Sequence, residues 1–335
     1  MGNRDWHPCS RETIASGPQR LDPFAFRRGI ALWSDSANGR DIVGCRWPSP
    51  GPCVPRQFGN PVASVSSRLL AFDGSTVVWR STDPGAQVGY CRLRKKDLIC
   101  EPSVVRTRTR LALTDSAGID ANLLALELFD LTGSRLAHCQ LDLETGDCDL
   151  RFVKGVRNSR LPAVSGRRIV WTESPDTEDT SIAYCEVDPI DGTCARKRLT
   201  GAPFPTGEPR IDRNRIVWED ERLGPSQILG VELPGLELVS RIRLVPGTTV
   251  SVPIIREGAV AWIPWRFVLE GISGLTPADL NAHVVDRGGS IVQLSVRGAA
   301  NFAGQSGLWR IRATTPSGLE TRSAVEIFID RRRSR

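Results

Sequence analysis

Apolar runs of four to seven residues alternate with Gly, Pro, Ser and Asp turns along most of this chain, and one run recurs. Its copies are Ile30-Ala31-Leu32-Trp33-Ser34-Asp35, Val77-Val78-Trp79-Arg80, Arg168-Ile169-Val170-Trp171-Thr172-Glu173, Arg215-Ile216-Val217-Trp218-Glu219-Asp220 and Ala259-Val260-Ala261-Trp262. The tryptophans fall 46, 92, 47 and 44 residues apart, and the double gap holds a weaker copy, Leu123-Leu124-Ala125-Leu126-Glu127, with Ala125 at the Trp position. Six units of similar length follow. In the fourth, Leu161–Val164 predicts a strand, Ser165-Gly166 a turn, and 167–173 the Trp strand, whose period-2 alternation puts Ile169 and Trp171 on one face. In the third, Leu124 and Leu126 are expected to fill the volume that Ala125 leaves.

Eight of the nine cysteines fall into local pairs, Cys45 with Cys53, Cys91 with Cys100, Cys139 with Cys148 and Cys185 with Cys194, each pair 12 to 14 residues after its Trp or Ala125. The first Cys sits in a strand-like run, a turn follows, and the second opens another run with an apolar residue five places on: Phe58, Val105, Val153 or Leu199. This is the pattern of a disulfide across an antiparallel hairpin. Structural zinc prefers Cys about three to five residues apart, and no His accompanies these pairs, so no metal site is expected. Repeated disulfides imply an oxidising compartment, hence an extracellular or periplasmic protein whose signal peptide is removed or lies upstream of Met1.

With the Cys hairpin, each unit makes a four-stranded antiparallel meander. Four strands in about 46 residues is the unit of a β-propeller, whereas immunoglobulin-type repeats need about 100. The expectation is an all-β chain: a six-bladed β-propeller over 9–272, closed by an N-terminal strand, plus a small C-terminal β-sandwich over 279–330. The sixth blade is expected from 249–255, 257–263 and 265–270, with Cys9–Ile14 supplying its fourth strand, because Cys9 is followed by Ile14 as Cys194 is by Leu199. Cys9 would then be an unpaired thiol, the alternatives being lipid attachment or an intermolecular disulfide. Beyond the linker 275–278, four alternating runs at 282–285, 290–296, 307–313 and 323–329 predict the sandwich, with Trp309 in its core and His283 on a surface strand.

The phrase running from Glu208 to Arg222, which contains Pro209, Ile211, Ile216-Val217-Trp218, Asp220 and Arg222, resembles the repeat of TolB-like six-bladed β-propellers of bacterial and archaeal surface proteins. The resemblance spans roughly 9–272 and is carried most fully by the fourth and fifth units. Gly288-Gly289-Ser290-Ile291-Val292-Gln293-Leu294 looks like part of a PKD- or immunoglobulin-type module. The hairpin cysteines depart from the usual TolB-like pattern.

Charge and chemistry add little to this. A net charge of +6 spread over scattered arginines gives no concentrated basic stripe for nucleic acid, and the basic run 331–335 reads as a frayed tail. No stretch approaches the roughly 18 apolar residues of a membrane helix. Nucleophile-elbow, zinc-protease and P-loop motifs are absent, His7, His138 and His283 are dispersed, and no cofactor is expected. An acidic residue recurs two places after the blade Trp at Asp35, Glu127, Glu173 and Asp220. These are the candidate binding residues, facing one rim toward a cation or basic ligand, or else structural acceptors paired with nearby arginines. The function expected is a monomeric, non-enzymatic scaffold binding a protein or glycan. The alternative is a glycan hydrolase using a carboxylate pair at the channel.

Overall fold

The computed structural model describes residues 24–35, 41–46, 56–57, 67–81, 87–94, 99–108, 116–130, 133–174, 180–200, 207–220, 227–238, 240–257, 265–286 and 290–331. The chain folds as successive antiparallel meanders of propeller type followed by a β-sandwich. The first meander comprises β1 (Phe24–Arg27), β2 (Ile30–Asp35), β3 (Asp41–Arg46) and β4 (Arg56–Gln57). The second comprises β5 (Ser67–Phe72), β6 (Thr76–Ser81), β7 (Val88–Arg94) and β8 (Ile99–Val104), and the third β9 (Ala117–Asp120), β10 (Leu123–Asp130), β11 (Gly133–Gln140) and β12 (Arg151–Phe152). The fourth has β13 (Ser159–Ser165), β14 (Arg168–Glu173), β15 (Ser181–Glu186) and β16 (Lys197–Arg198). The fifth has three described strands, β17 (Arg210–Asp212), β18 (Arg215–Asp220) and β19 (Gln227–Glu232). The proposed closing strand 9–14, Cys53 and Trp262 lie outside the described residues.

Compactness divides the described chain into two units, one holding the residues up to Asn122 together with Gln140–Asp149, the other the remainder. In the first, Ile30, Leu32 and Ile42 share a buried cluster with Leu69, Phe72, Val77 and Cys91, so apolar faces of the first two meanders cover each other. Trp79 lies opposite Gly89 across the β6–β7 ladder, and any Cβ at Gly89 would fall inside the indole. The missing side chain is therefore a packing requirement.

In the second unit, Trp171, Ile169 and Cys185 pack with Leu123, Ala125, Leu136 and Val153, and on the opposite face Val170, Ile182 and Tyr184 pack with Ile216 and Trp218. The Ala125 position is compensated differently from the sequence expectation. Leu123 and Leu136 join Trp171 in the cluster around Ala125, whereas Leu124 and Leu126 are fully buried elsewhere. Period-2 alternation explains this, since the immediate neighbours of Ala125 point to the other face and only residues two away share its side.

The sandwich is larger than 279–330. It takes β20 (Gly235–Glu237), β21 (Arg241–Leu244), β22 (Thr249–Glu257), β23 (Arg266–Gly274), β24 (His283–Val285), β25 (Ile291–Arg297), β26 (Ser306–Thr314) and β27 (Glu320–Ile329), in two sheets ordered β20-β22-β25-β24 and β21-β27-β26-β23. Strands read as the sixth blade, 249–255 and 265–270, are thus paired with β25 and β26. The alternation that puts Val252 and Ile254 inward is satisfied by either sheet, so the pattern specifies a face and leaves the partner open. Four strands in about 50 residues offer too little surface for a two-layer core, and recruiting these strands supplies it. Trp309 is fully buried there, its Nε1 donating to the Leu275 carbonyl at 2.6 Å.

An ion network fixes this sandwich to the fourth meander. Asp188, in the turn after β15, is 1% exposed and pairs with Arg310 of β26 at 2.8 Å and Arg322 of β27 at 3.3 Å. Arg310 also reaches Asp191 at 2.9 Å and Glu270 at 3.4 Å, and Arg167 bridges Glu186 and the Arg322 carbonyl. Burial works to raise the Asp188 carboxyl, but the Ile190 amide, the Arg310 guanidinium and the Asp191 amide overcome it and hold it below the usual carboxylate range.

Cys91–Cys100 and Cys185–Cys194 are disulfides with Cα separations of 5.6 and 5.4 Å, and Cys45, Cys139 and Cys148 are also disulfide-bonded. Replacing Cys185 and Cys194 by Ser should lower unfolding free energy by about 2.7 kcal/mol, the chain-entropy value for a loop of about ten residues. Gly89→Ala should cost about 1–3 kcal/mol by overpacking against Trp79. Urea midpoints of both variants test these values, and an unchanged Gly89→Ala midpoint would refute the packing role.

Candidate functional site

Three hairpin tips of the first unit converge on one concavity. Arg28 and Gly29 form the two-residue turn between β1 and β2, both with positive φ (53° and 73°), and Ala121 and Asn122 form the turn between β9 and β10. Between β5 and β6, Asp73 builds the turn by itself. Its buried Oδ1 accepts the Ser75 amide at 2.7 Å, the Ser75 hydroxyl at 2.8 Å and the Thr76 amide at 2.6 Å, which is why an Asp-Gly pair stands there. Gly74, with φ of 92°, lies under the aliphatic stem of Arg28, only 2.7–3.2 Å from where a Cβ would stand. Larger residues would push the arginine away.

A fourth wall comes from the turn after β11. Asp142 accepts the amides of Glu144 at 2.8 Å and Thr145 at 3.1 Å, and the Thr145 and then the Glu144 donor hold its carboxyl below the usual range. The turn is anchored from behind, since the Arg106 amide donates to the Gly146 carbonyl at 2.7 Å and the Leu141 amide to the Asn122 carbonyl at 2.7 Å. An ion pair of 3.6 Å between Arg27 and Asp120 ties the first turn to the third.

The resulting pocket encloses about 700 Å³ and is lined by Arg28, Arg92, Asp73, Asp120, Asn122, Gln140, Asp142 and Glu144 among others. Arg28, Arg92, Asn122, Gln140, Asp142 and Glu144 are exposed, so two guanidinium groups, two amides and two carboxylates are presented to a ligand. Asp73 has its acceptor oxygen committed to the turn. Such a lining suits a polar ligand with several hydroxyl or carbonyl groups. Among the described residues, no group of three or more His, Cys, Asp or Glu could hold a metal ion.

The acidic positions singled out by the repeat are elsewhere. Asp35, Glu173 and Asp220 end β2, β14 and β18, a strand's length from the turns that precede those strands. The Asp35 side chain is outside the described residues. Glu173 is 2% exposed and is gripped by Arg196 and Arg198 of its own meander and by the Ser181 hydroxyl. Asp220 is 3% exposed and accepts the Trp218 indole at 3.3 Å, while Glu127 is equally buried. Burial and these partners give Glu173 and Asp220 a structural use. Arg28, Arg92, Asn122, Gln140 and Glu144 were not singled out in the sequence. For Arg28 and Asn122 the signal was the turn dipeptide ahead of the repeated phrase, which identifies a loop tip without telling which tips meet; Arg92 and Gln140 lie on β7 and β11 and Glu144 in the turn after β11, positions that no repeat marks.

Of the histidines, His7 is outside the described residues, His283 is exposed with Nδ1 3.3 Å from the Asn281 carbonyl, and His138 is buried on β11. Burial first and the Arg151 charge second lower the His138 imidazole to about 4.

No protein-family model matches the chain, and no curated protein matches it by sequence. Similar solved structures include Kluyveromyces lactis Hsv2, 11% identical over 65% of this chain and 68% of that one with a TM-score of 0.38. Prolyl oligopeptidase B from Galerina marginata, as the apo protein, is 9% identical over 92% of this chain and 55% of that one, TM-score 0.41. The titin M3 domain is 20% identical over 29% of this chain and 97% of that one, TM-score 0.22.

His138 makes stability depend on pH. Its folded value is below the ordinary 6.5, so between about 6.5 and 4 the unfolded chain binds the proton that the folded chain refuses. Stability should therefore be intact above about 6.5 and fall as pH drops to about 4, by up to about 3 kcal/mol. Urea titrations across this range should show the slope, and His138→Gln should flatten it. An equal slope in the variant would assign the loss to other groups.

Proposed function

We propose that this protein is a secreted or periplasmic, non-enzymatic propeller-type scaffold whose first unit binds a glycan or the polar surface of a protein in the turn-lined pocket. The observation that carries this reading is the pocket itself, where exposed Arg28, Asn122, Asp142 and Glu144 stand on turns, those at Asp73 and Asp142 fixed by hydrogen bonds, beside exposed Arg92 and Gln140 on strands β7 and β11. Rigid presentation of many polar groups favours recognition, because the ligand meets groups already ordered. The disulfides support an oxidising compartment. The kinship proposed is with TolB-like propellers, on the repeat phrase ending at Arg222, and the C-terminal sandwich is taken as immunoglobulin-like. The chain works as a monomer and without nucleic acid.

A glycan hydrolase is the second reading, favoured by Asp120, Asp142 and Glu144 lining one pocket. The backbone donors that lower Asp142 oppose it, since a general acid needs a raised carboxyl.

Glycan and peptide arrays, followed by calorimetry on the best ligand, test the proposal. Arg28→Ala and Arg92→Ala should each weaken binding about tenfold, some 1.4 kcal/mol, with unchanged urea midpoints. Ligands that bind these variants as tightly as the parent would place the site elsewhere. Release of new reducing ends from an oligosaccharide, abolished in Glu144→Gln, would replace the binding reading with the hydrolase.

A further inference from the structure

Neither arginine of the first unit's pocket, Arg28 or Arg92, has an ion-pair partner among the described residues, and neither do the two carboxylates of its fourth wall, Asp142 and Glu144. Other charges of the unit do pair. Arg27 takes Asp120, and Arg94 takes Glu101 at 2.8 Å. Glu101 stands directly across the β7–β8 ladder from Arg92, where cross-strand neighbours of opposite charge usually join. Its bond to Arg94 leaves Arg92 to the pocket.

Opposite charges lining one cavity would close on each other if their stems were free to swing. Here the scaffold restrains them. The Arg28 stem lies over Gly74, Asp142 is tethered by the Glu144 and Thr145 amides, and β7 fixes Arg92 opposite Thr76. The signs are also segregated by origin, since the arginines come from the first and second meanders and the unpaired carboxylates from the turn after β11 in the third. The remaining carboxylates of the lining are engaged, Asp120 by Arg27 and Asp73 by its own turn. Asn122 and Gln140, exposed in the same lining, each offer an N–H donor and a carbonyl acceptor, the complement of a peptide group.

We propose that the pocket binds a short peptide with both ends free, its carboxylate on Arg28 and Arg92, its ammonium on Asp142 and Glu144, and its amides on Asn122 and Gln140. The inference rests on the binding reading above and names the ligand class of that site. Two unpaired cations and two unpaired anions balance, so the lining favours a ligand that carries both signs over one of large net charge. Such a ligand gains charge-assisted hydrogen bonds at both ends from groups already held in place. A neutral sugar would pair with the amides and leave all four charges unanswered. At about 700 Å³ the space suits a peptide of a few residues rather than the face of a folded protein.

Calorimetry on the full chain with millimolar trialanine, its N-acetyl form and its C-terminal amide tests this. Trialanine should bind, and each blocked form should bind about tenfold more weakly or worse. Arg92→Ala should remove the preference for acid over amide and keep that for free over acetylated amine, and Glu144→Gln should do the reverse. Failure of trialanine to bind, equal binding of the blocked forms, or preferences that survive both substitutions would overturn the inference. Should a variant fail to fold, the three peptides decide on the parent chain alone. The broader reading fails separately. An array glycan whose binding needs Arg28, with trialanine unbound, would sink the peptide and keep the pocket as a binding site, whereas the absence of any ligand dependent on Arg28 or Arg92 would sink both.

Discussion

The stacking of sheets within each unit, the first meander on the second in one and the third, fourth and fifth in succession in the other, is the constraint on which the meanders depend. The second strand of a meander is apolar on both sides. Leu123, Leu124, Ala125 and Leu126 are all at most 2% exposed, as are Ile169, Val170 and Trp171, and no single sheet can provide that. The fifth meander shows the converse. Ile216 and Trp218 are covered by the fourth meander, while Val217 and Ile228, on the other side, are 42% and 74% exposed. A face whose equivalents Val170 and Ile182 are fully buried needs a covering layer.

Stacking also dictates where polar groups stand. The acid two places after Trp was conspicuous in the sequence because it repeats, and Glu173 shows why it repeats. Ending a strand buried on both faces, it takes Arg196, Arg198 and Ser181 as partners and closes the meander internally. A carboxylate so engaged is unavailable to a ligand, since releasing it would leave charges buried without partners. The turns before the strands carry no such duty. Side chains there such as Arg28 and Asn122 stay in solvent, and the backbones are held by buried Asp73, by Asp142 and by left-handed residues such as Arg28 and Ala121.

The sandwich is held by different means. Its own core is a conventional double layer around Trp309, but its junction with the fourth meander is ionic, with Asp188 receiving two arginines from β26 and β27. The Asp188 turn belongs to the same Cys185–Cys194 hairpin that braces the meander. One short loop therefore serves hairpin, turn and junction, which makes the C-terminal sandwich a fixed part of its unit rather than a tethered spacer.

Sequence alone determined the strands, their two faces, the hairpin positions of the cysteines and the burial of Trp171 and Trp309, because period-2 alternation and turn residues act over a few positions. It determined less well what those strands pair with. The run 249–255 reads equally as a blade strand or a sandwich strand, since alternation fixes a face and is silent about the sheet beyond it. Ala125 was misread in the same way, through neighbours that point to the other side. Only the tertiary structure decided that Arg28, Asp73, Asn122 and Glu144, spread over more than 100 residues, meet around one pocket, while the repeated acids do not. Repetition in a sequence reports what every meander needs for stacking. A binding site arises where non-equivalent loop tips converge, and convergence depends on distances that no local pattern encodes.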